Sequence, residues 1–94
     1  MTDFRFLPPA EEEMIGESLF YQAVSSELGP DFLDDVQPLE QPKLRRPVGH
    51  GMRRALLSRF PFSLICAEQS DAILIVAVAH HKRRPDYWRK RSHR

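Results

Sequence analysis

Apolar and polar positions alternate from Asp3 to Leu7 (DFRFL), the two-residue period of a short strand. Pro8 and Pro9 end that pattern. Proline suits the first turn of a helix, and Glu11, Glu12 and Glu13 place negative charge at its N-terminal dipole. The spacing that follows predicts a helix from about Pro9 to Leu28. It carries two apolar stripes: Met14, Tyr21, Val24 and Leu28 form one, and Ile15, Leu19 and Ala23 form the other. Two stripes call for partners on two sides, a sheet and a second helix or a separate protein. Gly29 and Pro30 read as a helix stop. Asp31 to about Gln37 reads as a short second helix with Phe32, Leu33 and Val36 inward, closed by Pro38. The two helices make an αα-hairpin.

Pro38 to Gly51 holds three prolines and two glycines and reads as a loop. Three strands are predicted after it: Met52 to Arg59, Phe62 to Glu68 and Ala72 to His80. Gln69, Ser70 and Asp71 form a tight turn between the last two. Both faces of the last strand are apolar, Ile73, Ile75 and Ala77 against Leu74, Val76 and Val78. A strand of that kind is central and covered on both sides. The fold class is α+β: a βααβββ order, a mostly antiparallel sheet, the αα-hairpin on one face and a short basic C-terminal segment. At 94 residues the chain makes a single domain, 1–94.

Charge changes the picture. Residues 1–40 carry ten acidic groups and one basic group, Arg5; residues 41–94 carry thirteen basic and three acidic groups. The net charge of +1 is therefore a sum of −9 and +10. Such a split predicts one basic surface built by the C-terminal half. No apolar run approaches the ~20 residues of a membrane-spanning helix. The start, MTDFRFLPP, has neither the basic nor the apolar region of a secretory signal. Cys66 is the single cysteine, in the apolar setting FSLICA; it reads as an inert buried thiol, and the expected location is the cytoplasm.

The candidate chemistry gathers where the last strand ends, in AHHKRRPDYW. Arg53, Arg54 and Arg59 lie on the first strand of the predicted meander, with His50 before it. His80, His81, Arg83, Arg84, Tyr87 and Trp88 follow the last strand. Arginines hold phosphates through paired N–H donors. Tyrosine and tryptophan stack on unpaired bases. Imidazoles as a class move protons near neutral pH. Together such groups can bind RNA and cleave it by attack of a 2′-hydroxyl on the adjacent phosphate, with His80, Arg84 and Tyr87 in the catalytic roles. The alternative is structural: a strand-end histidine, a solvated basic run and a tryptophan covering the edge of the core. His80 and His81 are adjacent and cannot share a strand face, and no cysteine or carboxylate completes a zinc-like spacing, so neither metal nor cofactor is expected.

The segments RRALLSRFPFSLIC and DAILIVAVAHHKRRPDYW resemble the RelE/ParE superfamily of type II toxin–antitoxin toxins, in its ParE-like plasmid-stabilisation branch. FRFLPPAEEEM resembles that family's first strand and helix start. The resemblance spans nearly the whole chain. Its most specific parts are Arg59-Phe60-Pro61 and the ending AVAHHKRRPDYW. It implies a cytoplasmic growth-inhibiting toxin neutralised by a ParD-like antitoxin encoded beside it, in a hetero-oligomer. The antitoxin tail would fold as a helix against the stripe Met14, Tyr21, Val24 and Leu28, and the basic C-terminal half would draw an acidic antitoxin segment. RelE-like members are ribosome-dependent mRNA endoribonucleases; ParE-like members inhibit DNA gyrase without known catalysis. Arg53, Arg54 and Arg59 stand at the family's basic strand positions. The lysines, Lys43, Lys82 and Lys90, fall in loops or tail, so the ParE-like reading leads. Target contact would then fall to Arg53, Arg54, Arg59, His81, Arg83 and Trp88. One departure is the short second helix cut by Pro38, which leaves a third possibility: an inactive remnant that still binds an antitoxin.

Overall fold

The computed structural model describes residues 3–36, 45–49, 51–69, 72–84 and 87–91. Its elements run β1 (Asp3–Phe6), α1 (Pro8–Val24), α2 (Leu28–Val36), β2 (Arg45–Gly49), β3 (Met52–Leu56), β4 (Phe62–Glu68) and β5 (Ala72–His80). One five-stranded sheet has the order β1-β5-β4-β3-β2. β1 pairs parallel with β5, and the other pairs are antiparallel. The doubly apolar β5 is thus interior, between β1 and β4.

The sheet contains one strand beyond those the sequence pattern predicts. Arg45–Gly49 lies inside the stretch read as a loop because of its prolines and glycines. It pairs with β3 as an edge strand. Pro47 cannot donate to a ladder, and an edge is where a strand tolerates that. Gly49 and Gly51 sit at φ of 89° and 73°, where glycine turns the chain cheaply. His50 between them, the Pro38–Leu44 stretch and the predicted turn residues Ser70 and Asp71 lie outside the described residues.

The helix boundary also differs. α1 stops at Val24, and the Ser25 N–H donates to the Tyr21 carbonyl at 3.0 Å. Gly29 and Pro30 open α2 instead of closing α1. Proline is compatible with a first helical turn, where its missing N–H removes no hydrogen bond. Gly29 is there for contact: a Cβ on it would stand 2.9 Å from the Gln22 Cβ and 3.0 Å from the Ser18 carbonyl oxygen. The absent side chain is what lets α2 lie against α1.

The hairpin covers one face of the sheet. Ala10, Phe32 and Val36 meet Ala55, Leu57, Phe62, Leu64, Cys66, Ile73, Ile75 and Val78 there. Tyr21, Phe32, Phe60 and Phe62 interlock, with ring centroids 4.8 Å (Tyr21–Phe60) to 6.4 Å (Tyr21–Phe62) apart. Full burial of such side chains contributes roughly 1.5–3 kcal/mol each. The opposite face packs Met52, Ile65, Ala67, Val76 and Ala77 beneath Trp88, which is 5% exposed.

β5 departs from strict alternation. Its register with β4 passes from Cys66↔Ile75 to Ile65↔Ala77, so Val76 is an extra residue, a β-bulge. Val76 and Ala77 consequently share the face away from the helices, and Val78 turns to the helix side. The sequence pattern places Ala77 with Ile75 and Val78 with Val76. The bulge exchanges them.

Candidate functional site

Beyond the bulge, β5 loses β1 as a neighbour. The last β1–β5 pair is Phe6↔Ile75, followed by the Leu7 N–H to the Ile75 carbonyl at 2.9 Å. From there a side chain of α1 takes the open edge. Glu13 Oε1 accepts the Val78 N–H at 2.9 Å, and Arg91 donates to the Val76 carbonyl at 3.1 Å. The Arg91 guanidinium also grips Glu13 with both terminal nitrogens, at 3.0 and 2.8 Å. The Tyr87 hydroxyl donates to Glu13 Oε2 at 2.7 Å, and Arg83 stands 3.8 Å from the same oxygen. One carboxylate thus ties the segment after β5 to α1.

This carboxylate is only 15% exposed, and its partner Arg91 is 19% exposed. Burial pushes the Glu13 pKa up, but hydrogen bonds from Arg91, Tyr87 and the Val78 N–H outweigh it and hold the group below the ordinary carboxylate range. Burial, and then donation to Glu13, raises the Tyr87 phenol well above its ordinary value. The Tyr87 ring lies against two guanidinium carbons, Arg83 at 3.9 Å and Arg91 at 5.0 Å.

The tethered segment and the sheet enclose a cleft of about 130 Å³ on the face away from the helices. Its lining includes Arg54 from β3, Ser63 from β4, and His80, His81, Arg83, Arg84, Tyr87 and Trp88 at and after the end of β5. His81 Nε2 and Ser63 Oγ are hydrogen-bonded at 3.0 Å. The His80 ring packs edge-on against Phe62 at 4.8 Å, and its Nδ1 accepts the Lys82 N–H at 2.9 Å. Among the described residues, Arg54 and Arg84 have no ion-pair partner. Two open guanidiniums, a third one loosely held and an imidazole with a hydroxyl make a concave site for a phosphate-bearing ligand.

Not every arginine picked from the sequence arrives there. Arg53 and Arg54 are neighbours on β3 and point to opposite faces. Arg53 lies on the helix side, 3.8 Å from Glu68. Arg59 falls beyond β3, in the turn to β4. It stands 3.1 Å from Asp31, and its N–H donates to Asp35 Oδ2 at 2.8 Å. Asp35 also accepts from the Ser58 N–H and hydroxyl, at 3.2 and 2.7 Å. Burial raises the Asp35 pKa, and these donors outweigh it and hold the carboxyl low. The Arg59-Phe60-Pro61 segment therefore locks the β3–β4 turn onto α2. Of the candidates, the structure brings together Arg54, His81, Arg83, Arg84, Tyr87 and Trp88, whereas His80 borders the cleft with its ring turned onto Phe62 at the hairpin side. The site opens away from the hairpin, not beneath it.

The helical stripes are also redistributed. Met14 and Tyr21 pack on the core and Leu28 is half-buried. The residues left facing solvent are Ile15 (47% exposed), Leu19 (60%), Phe20 (59%) and Val24 (65%). Sequence spacing finds both stripes but does not tell which one meets the sheet. The sequence spacing does not reveal Glu13 as the residue that ties down the cleft wall, because nothing local separates it from Glu11 and Glu12. Ser63 was missed too; it becomes visible only through its pairing with Ala79 across the β4–β5 ladder.

No family model and no curated protein matches the sequence. Among solved structures, one described as "Chromosomal ParDE TA system from P. aeruginosa" aligns over 85% of this chain and 96% of its own, with a TM-score of 0.68 and 20% sequence identity. The fold is ParDE-like. That agrees with the resemblance read from the sequence, which spans nearly the whole chain. Within this ParDE-like fold, the basic cleft and the solvent-facing stripe stand on opposite sides of one sheet. No helix among the described residues is long and apolar enough to cross a membrane.

Proposed function

We propose that this chain is the toxin of a type II toxin–antitoxin pair, ParE-like in kind and acting in the cytoplasm. Its stripe takes a ParD-like antitoxin, and its cleft engages the target, DNA gyrase. The observation that carries the reading is the pairing of two unsatisfied surfaces on one small fold. Ile15, Leu19, Phe20 and Val24 leave apolar side chains exposed around the outer half of α1, and Arg54 and Arg84 are open cations in a concave site. An exposed apolar face of this kind marks a docking surface. The described hairpin, residues 8–36, carries eight acidic groups and no basic one. The antitoxin helix that lies on it is therefore amphipathic with Lys or Arg at its margins, and any acidic antitoxin segment belongs on the cleft side. Binding without chemistry is favoured because two of the groups suited to proton transfer are engaged within the fold, the Tyr87 hydroxyl by Glu13 and His80 Nδ1 by the Lys82 N–H.

A second reading, ribosome-dependent mRNA cleavage, draws on His81 and Ser63 lying beside the cleft arginines. Expression of the chain without any antitoxin separates the two. The gyrase reading requires growth arrest with DNA breaks, and loss of supercoiling by purified gyrase on addition of the protein. New mRNA 5′ ends without DNA breaks favour the nuclease. Unimpaired growth leaves an inactive antitoxin-binding remnant and refutes both.

A further inference from the structure

We propose that Glu13 is the positioning residue of the cleft. It is a residue of the hairpin that never enters the site, yet it fixes the wall carrying His81, Arg83 and Arg84. The inference rests on the cleft being the working surface of the proposed toxin. The argument is geometric. β1 ends at the level of Ile75, so the outer edge of β5 past the bulge has no strand beside it. Glu13 occupies that edge by accepting the Val78 N–H at 2.9 Å. Its two oxygens then take Arg91 through both nitrogens and Tyr87 through its hydroxyl, at 2.7–3.0 Å. Arg83 reaches the same carboxylate at 3.8 Å while its guanidinium lies over the Tyr87 ring at 3.9 Å.

Each of these contacts lies on the chain that closes the cleft. Trp88, between Tyr87 and Arg91, belongs to the buried cluster of Met52, Ile65, Ala67, Val76 and Ala77. The clamp thus decides where the basic side chains after β5 stand relative to Arg54 on β3. It also joins α1, which presents the antitoxin face, to the target cleft on the other side of the sheet. Truncating one partner of such a buried charge cluster strands the others, which is why the wall depends on a single carboxylate.

The test uses the full chain and the variants Glu13→Ala, Glu13→Gln and Tyr87→Phe. Controls are Glu12→Gln, on the exposed side of the same helix, and Gly29→Ala, which crowds the α1–α2 contact at Gln22 and Ser18. Trp88 is the only tryptophan, so its emission reports the seating of the wall directly. Cleft geometry is read by titration with inorganic phosphate and with a short oligouridylate, well below the melting temperature of each variant. Glu13→Ala is expected to red-shift Trp88 emission and to weaken phosphate binding roughly tenfold or more, the scale set by misplacing a binding group by about an ångström. Glu13→Gln keeps an acceptor for Tyr87 and the Val78 N–H and falls between parent and alanine. Tyr87→Phe gives a smaller change of the same kind. Both controls keep parental emission and phosphate affinity, although Gly29→Ala is less stable; a purely structural role for Glu13 would make it behave like Gly29→Ala. Parental emission and affinity in both Glu13 variants overturn the proposal. So does failure of the parent to bind either probe. If emission and affinity change in the Glu13 variants but growth arrest does not, the positioning role stands and the cleft is not the toxic surface.

Discussion

Two glycines in the hairpin make opposite predictions for one substitution. Gly16 stands in the middle of α1 with nothing within 4 Å of where an added methyl would sit, whereas the same position on Gly29 meets the Gln22 Cβ at 2.9 Å and the Ser18 carbonyl oxygen at 3.0 Å. Replacing a mid-helix glycine by alanine removes backbone freedom from the unfolded chain and gains about 1 kcal/mol. Gly16→Ala should realise that gain and raise Tm by roughly 4–8 °C, the shift per kcal/mol for a chain of this size. At Gly29 the propensity gain is smaller, since the residue is second in α2. The added methyl meets backbone-anchored atoms of α1 that cannot swing away, as the Gln22 amide can. Overpacking of this type costs about 1–3 kcal/mol. The steric loss wins by about 1–2 kcal/mol, so Gly29→Ala should lower Tm by roughly 5–15 °C. Thermal unfolding followed by far-UV circular dichroism decides it, with Gly16→Ala as the internal control. A Gly29→Ala protein that melts at or above the parent would refute the close helix approach. Gly16 also lies among the exposed apolar residues of α1, so its alanine variant, although more stable, tests whether the proposed antitoxin helix needs that gap.

Acid sensitivity follows from Glu13 and Asp35. Both carboxyls are held below their ordinary values of 4.5 and 3.8, so their stabilisation is complete at neutral pH and is lost as pH falls below about 4.5. Urea midpoints measured against pH should decline there, less steeply in Glu13→Gln; a flat profile refutes the contribution of the clamp. At the alkaline end, Tyr87 is raised above 10.0, so its stabilisation is full below that pH and fades on raising pH further, a loss that Tyr87→Phe should not show. Leu19→Asp and Phe20→Asp sit on exposed positions and should leave stability within about 0.5 kcal/mol of the parent. The same changes should weaken antitoxin binding by at least ~2 kcal/mol, about thirtyfold, by calorimetric titration; unchanged affinity moves the partner elsewhere. Arg54→Ala and Arg84→Ala should each weaken phosphate or target binding roughly 10- to 100-fold, the range of a lost charge-assisted contact, while Arg59→Ala leaves binding intact.

The sequence by itself determined the elements that local chemistry can write. Period-two alternation marked β1, the apolar runs marked β4 and β5, and the proline–acidic start marked α1. Charge segregation announced a basic C-terminal surface, and the residues around His80 to Trp88 marked where it would gather. Tertiary structure decided what depends on distant partners. β2 became a strand because β3 offered it an edge, despite Pro47. The β5 bulge exchanged Ala77 and Val78 between faces, which no alternation rule contains. Of two helical stripes, the one with Met14 and Tyr21 turned inward because the sheet lay there. Glu13 became the anchor of the site only once folding carried it to Val78 and Arg91, 65 and 78 positions away. Periodicity within a segment encodes which side chains share a face. The partner of that face, and the carboxylate that fills a missing strand's place, are set by contacts that span nearly the whole chain.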